Sequence, residues 1–222
     1  GASLTDVYLT TVLAAGSGTG IDVDVGASSS STASLTNLTF DSNGFNDTTG
    51  TGVDIDAAGD ATVSDLSFDT NDLSNNSEAA NIEVGGGATL TDLDVKRVLV
   101  SDSDTGFTLR SAGQATVTQA TFIESGFNET AGTGLTVNAT GGSTIDNVTL
   151  YRVPVGSNAV GVQVAAKDSA TLAPLNFTQV LGNGNSDRGI VVNSGVTSGA
   201  DATLGDVNFN TVGVNESDAR RT

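Results

Sequence analysis

One eight-residue pattern returns eight times along this chain of 222 residues. A small residue, a hydroxyl, an apolar residue, two variable positions, an apolar residue, one variable position and a last apolar residue make up the unit. It appears as Ala2-Ser3-Leu4-Thr5-Asp6-Val7-Tyr8-Leu9, then from Ala33 to Phe40, Ala61 to Phe68, Ala88 to Val95, Ala115 to Phe122, Ser143 to Leu150, Ala170 to Phe177 and Ala202 to Phe209. The first apolar member moves from Leu4 to Leu35, Val63, Leu90, Val117, Ile145, Leu172 and Leu204, in steps of 27 to 32 residues. Internal periods of 20 to 50 residues are the signature of a solenoid or an array, in which each unit buries its apolar face only against its neighbours.

A second ladder runs half a period away, at Ile21/Val23, Val53/Ile55, Ile82/Val84, Phe107/Leu109, Leu135/Val137, Val162/Val164 and Ile190/Val192. Its strict alternation, as in Ile21-Asp22-Val23-Asp24, puts alternate side chains on opposite faces of a strand. Each repeat therefore holds at least two short strands, separated by turn clusters such as Asn43-Gly44, Gly85-Gly86-Gly87 and Gly182-Asn183-Gly184-Asn185. Helical repeats are excluded, because no segment keeps a 3.6-residue apolar spacing through so much Thr, Val, Asp, Asn and Gly. Leu90-x-x-Leu93-x-Val95 echoes a leucine-rich repeat, which stays open as an alternative, but the second strand ladder and the lack of a helical return favour a parallel β-helix.

In repeat pattern and coil length the chain resembles the right-handed parallel β-helix superfamily, the pectate-lyase-like solenoids, over nearly its whole length. The expected fold is all-β: one domain over residues 1–222, about eight coils of roughly 27–28 residues, with main-ladder starts near 2, 33, 61, 88, 115, 143, 170 and 202. Right-handed crossover is the default for parallel strands.

Charge bounds the habitat. There are 26 acidic residues against 8 basic ones, a formal net charge of −18, and Lys96 and Lys167 are the only lysines. Self-repulsion of this size destabilises a compact state in dilute buffer, and a Debye length of about 3 Å at 1 M salt silences most of it. An acidic, lysine-poor surface resembles the halophilic adaptation of haloarchaea. The expected register also stacks acids in neighbouring coils: Asp22 and Asp24 over Asp54 and Asp56, followed by Glu83, and Asp65 over Asp92. Such oxygen-only columns invite calcium or sodium rather than a transition metal, although no compact Asp-x-Asp-x-Asp-Gly loop is present and no other cofactor is expected.

Asn-x-Ser/Thr sequons occur at Asn37, Asn46, Asn75, Asn128, Asn138, Asn147, Asn176 and Asn215. Each is a potential glycan acceptor on an exported chain. Asn37, Asn147 and Asn176 fall between inward rungs, and Asn46, Asn128 and Asn215 occupy matching loops. With a first residue that is Gly rather than Met, no apolar leader and no run long enough to span a membrane, the chain reads as a mature extracellular or cell-surface product.

The superfamily resemblance implies, first of all, action on polysaccharides. The residue inventory opposes it: with no His and no Cys, every Ser-His-Asp, Cys-His and His-metal arrangement is excluded. The nearest alternative is a lyase-like cluster of Lys96 and Arg97 beside Asp92 and Asp94, with Arg110 and Arg152 in later coils. A set of surface ion pairs is the simpler reading, and the expectation is no enzyme. Nucleic acid is incompatible with so negative a surface. Sugar binding on aromatics lacks its platform, because Phe40, Phe68, Phe122, Phe177 and Phe209 share one inward rung.

The remaining expectation is architectural. The first rung (Leu4, Val7, Leu9) and the last (Leu204, Val207, Phe209) are as regular as those between them, without the atypical caps that normally close a solenoid. Head-to-tail stacking of copies through those rungs would be heterologous and would not close, giving an open homopolymer: a structural subunit of an extracellular filament or sheath. A monomeric surface adhesin or viral spike domain is the alternative, favoured if the polar tail 215–222 acts as a cap.

Overall fold

The computed structural model describes residues 2–26, 32–195 and 201–214. Every element assigned among them is a strand, and every strand pairing is parallel. The chain is a parallel β-solenoid whose coils have three sides.

The long side is a nine-stranded sheet built from the eight-residue pattern: Ser3–Thr10, Ser34–Asp41, Thr62–Asp69, Thr89–Lys96, Thr116–Ile123, Thr144–Tyr151, Thr171–Thr178, and a final rung split into Thr203–Leu204 and Val207–Asn210. The second side is a seven-stranded sheet: Ile21–Val25, Thr51–Ala57, Glu78–Val84, Thr105–Ala112, Thr133–Thr140, Val160–Lys167 and Arg188–Gly195. Eight rungs on one side and seven on the other make about seven complete turns with a partial eighth, one fewer than eight full coils.

The third side is a narrow column that the sequence does not advertise. It consists of Leu13–Ala15 paired with Gly44–Asn46, Leu99–Val100 paired with Gly126–Phe127, and single bridges through Asp72, Pro154, Leu181 and Gly213. Its inward residues, among them Phe45, Leu73, Val100, Phe127 and Val155, are fully buried.

The long sheet has the expected register, Leu4↔Leu35 and Leu9↔Phe40 being continued as Phe40↔Phe68↔Val95↔Phe122↔Leu150↔Phe177↔Phe209. The two variable residues between apolar positions break the strict alternation in each coil alike, so the register between coils is kept. Asp6, Asn37, Asp65 and Asn147 take left-handed φ angles of 54 to 59° there, a conformation that short polar side chains tolerate best. In the second sheet one rung differs from expectation. Val53 pairs with Ala80 and Ile55 with Ile82, so the rung is Ala80/Ile82 and not Ile82/Val84. The two readings differ by two residues, which preserves the inward parity.

Corners repeat too. After each long-sheet strand the chain turns through a left-handed residue: Thr11, Ser42, Thr70, Arg97, Glu124, Arg152, Gln179 and Thr211. After the third side the same happens at Asp47, Asn75, Asp102, Glu129 and Ser157. Each such residue costs about 1–2 kcal/mol for an L side chain. At several corners the residue that follows is an inward asparagine that offsets that cost by bonding the neighbouring coil. Asn43 Oδ1 accepts from Val12 N at 2.7 Å and its Nδ2 donates to Leu9 O at 2.8 Å. Asn71 repeats this on Asn43 N and Phe40 O, and Asn76 and Asn158 do so at the second corner. Buried polar groups are tolerated because they are paired in this way.

Between the sides runs one continuous apolar core. Phe40 and Phe68 stack with centroids 4.7 Å apart, and Phe107 meets Phe68 and Phe122 edge-on at 5.8 and 5.6 Å. Each fully buried large side chain contributes about 1.5–3 kcal/mol, so the fold is held by the sum of equivalent coils.

Candidate functional site

No helix among the described residues is long and apolar enough to cross a membrane. Four surface features remain as candidates.

The acidic columns form on the outer face of the second sheet. Asp22 pairs with Asp54, and Asp24 with Asp56. In the next coil Asp54 meets Asn81, and Asp56 meets Glu83. Glu83 in turn neighbours Arg110. Asn81 Nδ2 donates to Asp54 Oδ1 at 2.9 Å and so relieves one carboxylate. Asp56 carries the strain of the other column: partial burial, then Asp54, Glu83, Asp24 and Asp22 in that order, raise its pKa above the usual carboxylate value. The expected calcium or sodium column does not take the form of a binding site. These acids stand side by side along a flat sheet, and among the described residues no three acidic side chains converge as metal ligands. Asp65 and Asp92 occupy equivalent positions in adjacent coils, between the pairs Val63↔Leu90 and Leu66↔Leu93, with no ladder pairing of their own.

Of the basic residues singled out for a catalytic cluster, Lys96, Arg97 and Arg152 lie at or beside one corner and Arg110 lies apart. Lys96 ends a long-sheet strand and pairs with Asp94 at 2.6 Å. Arg97 occupies the corner, bonded to both oxygens of Asp69. Arg152 sits at the same corner two coils on, with Nη1 on Glu124 at 3.0 Å and Nε on Gln179 at 3.0 Å, and its guanidinium lies 5.0 Å from the Tyr151 ring centre. Arg110 belongs to the second sheet, on another side of the solenoid. These are half-exposed to exposed pairs, each worth up to about 1 kcal/mol.

The sequons occupy unlike places. Asn75 is exposed at a corner. Asn46 Oδ1 accepts from Ser74 N at 2.9 Å, and Asn128 Oδ1 from Gly156 N at 2.8 Å, so these side chains knit one coil to the next. Asn37 donates to Asp6 and Tyr8, Asn147 to Gln119, and Asn176 accepts from Asn208, all across coils. Asn138 is half-buried on the second sheet, with Oδ1 enclosed and unpartnered. Asn215 and the tail 215–222 lie outside the described residues.

The two extremities expose apolar residues of the core pattern. Leu4 is 57% exposed and Phe209 55% exposed, whereas their partners one rung inward, Leu35 and Phe177, are buried. Val7, Leu9, Leu204 and Val207 are partly buried against the core from one side only. On the third side Leu13, Leu99 and Leu181 also project into solvent. The outward character of that column was not anticipated, since isolated leucines among Gly and Asn read as loop.

No family model, curated protein or solved structure matches the chain, and its surfaces alone carry the functional reading.

Proposed function

We propose that this chain is a structural solenoid module that assembles head to tail, the first rung of one copy adding as a parallel strand layer to the last rung of another, within an extracellular filament or sheath. The observation that carries the reading is the apolar exposure of the first and last described rungs. Leu4 and Phe209 are each more than half exposed although their register-equivalents are fully covered. Both rungs keep the register of interior ones, the last as two short strands, so another layer added there extends the apolar stack.

The acidic exterior fits this role. A net charge of −18 keeps the sides of neighbouring polymers apart, and molar salt screens the repulsion between successive copies. A high-salt setting and glycans on exposed sequons, Asn75 first, belong to the same proposal. A non-catalytic role is supported by the lack of His and Cys, by the ion pairs that engage Lys96, Arg97 and Arg152, and by the place of Arg110 on another side. Sedimentation velocity across a salt series tests it: a mass that climbs with salt and protein concentration supports end stacking, and a fixed single-copy mass refutes it and returns the reading to a discrete adhesin or spike domain.

A further inference from the structure

Three enclosed oxygens without a hydrogen-bond partner lie together on the outer face of the second sheet: Glu78 Oε1, Asn81 Oδ1 and Thr108 Oγ1. In the strand Glu78–Val84 the intervening Ala79 and Ala80 are buried, so Glu78 and Asn81 turn outward on either side of them. Thr108 is the ladder partner of Asn81 in the next strand, Thr105–Ala112, and stands on the same face about 4.8 Å away. We propose that these three oxygens are the protein ligands of a hard cation, calcium, seated on the outer face between the third and fourth strands of this sheet.

Thr108 is anomalous for its place. Its column runs Asp22, Asp54, Asn81, Thr108, Thr136 and Gln163. The other members are exposed or half-buried, as an outer face requires, yet Thr108 is 1% exposed. A hydroxyl shut off from water is normally bonded, because an unpaired one forfeits the hydration it gave up. Here its neighbours cover it without supplying a partner. Asn81 is aimed at the same spot. Its Nδ2 donates back to Asp54 Oδ1 in the preceding strand at 2.9 Å, an arm that must be nitrogen because an amide oxygen there would oppose a carboxylate. The amide oxygen, on the other arm of the planar group, is thereby turned from Asp54 toward the side where Thr108 stands.

Glu78 supplies the charge, and none of the ion pairs among the described residues engages it. An ionised carboxylate and an amide carbonyl can only accept. A water in that place would leave the charge of Glu78 uncompensated, whereas a cation satisfies the three oxygens and the charge together. Carboxylate, carbonyl and hydroxyl oxygens, with no nitrogen or sulfur among them, suit calcium rather than a transition metal. Magnesium fits less well, because it demands a near-ideal octahedron and gives up water reluctantly. Three protein oxygens and one charge leave the remaining positions to water and place the dissociation constant at the weak end, roughly 10⁻⁴–10⁻³ M. The set holds a single acid, lies beside the column of Asp24, Asp56 and Glu83 rather than within it, and does not depend on end-to-end stacking.

Calorimetric titration of the whole chain with calcium chloride tests this, in tetramethylammonium chloride at fixed ionic strength so that screening of the net charge of −18 stays constant. One saturable site per chain is expected. Thr108→Val keeps the shape and removes the hydroxyl, Glu78→Gln removes the charge, and each is expected to weaken binding at least tenfold. Asp146→Asn, an equal loss of charge on the long sheet, is expected to leave the affinity within twofold. Thermal melts give a second readout that a merely structural Thr108 would not move. Calcium is expected to raise the midpoint of the parent protein and not that of Thr108→Val, which without calcium is at least as stable as the parent because the unpaired hydroxyl is gone. The lack of a saturable site, or a site that Thr108→Val leaves unchanged, overturns the proposal.

Discussion

Phe177 and Phe209 stack with ring centres 5.0 Å apart and planes 17° from parallel, nearly the geometry of Phe40 on Phe68 inside the solenoid, at 4.7 Å and 12°. The split last rung thus keeps the aromatic stacking of an interior one, with Phe209 packed on Phe177 and still 55% exposed. Offset-stacked aromatic pairs are worth about 0.5–1.5 kcal/mol beyond their burial, and a second such contact is available to whatever layer comes next.

Phe209→Asp places a charge on that open face. It is expected to abolish salt-dependent growth of mass in sedimentation while the circular dichroism spectrum of the parallel sheets stays unchanged. Growth that persists in the variant would show that Phe209 lies outside the assembly contact.

Asn76 is the most heavily used rung of the polar ladder. Its Oδ1 accepts from both Thr48 N and Thr48 Oγ1, and its Nδ2 donates to Phe45 O and Leu73 O. Asn76→Ala leaves these buried groups unpaired and is expected to lower unfolding stability by about 1–3 kcal/mol, read as a drop in urea midpoint. An unchanged midpoint would remove the ladder from the account of the corners.

Much of this architecture is legible in the sequence, for a physical reason. Inward apolar residues at Leu35, Leu38 and Phe40 recur because every coil repeats one packing problem, and the repeat makes the register readable without any long-range information. The second ladder is read two residues off at Ile82 because Ala80, a small residue, fills the position that Val53 and Phe107 fill in the flanking coils. The third side escapes notice because its signal is one or two residues per coil, and because inward Asn43, Asn71 and Asn76 look like loop until the neighbouring coil supplies their partners. The acidic columns follow from register alone; whether Asp24, Asp56 and Glu83 converge on an ion depends on side-chain direction, which spacing does not encode.

Asp56 stands against Asp24 and Glu83 in adjacent coils, and its pKa is raised by burial first and by the surrounding carboxylates second. Protonation therefore favours the folded state. Its stabilising effect is complete below the ordinary carboxylate pKa near 4 and is lost as pH rises through the elevated folded value. Asp56→Asn is expected to stabilise the protein at neutral pH in dilute buffer by about 0.5 kcal/mol, with the gain shrinking in 1 M salt and at pH 4. Thermal melts of both proteins over pH and salt check this, and a gain that persists at pH 4 in 1 M salt would reject the electrostatic cause.

Arg97 and Asp69 are a bonded but solvent-facing pair. Arg97→Ala is expected to lower stability by less than about 1 kcal/mol and to leave assembly untouched. A loss of several kcal/mol in chemical denaturation would mean that the corner ladder of Thr70, Arg97 and Glu124 is structural rather than decorative surface charge.

Electron microscopy of the protein in molar salt and in dilute buffer tests end-to-end stacking most directly. The account predicts thin fibres in salt with an axial repeat near 38 Å, eight layers at about 4.8 Å each, that disperse or shorten in dilute buffer. Discrete rods of one copy's length in both conditions would contradict it.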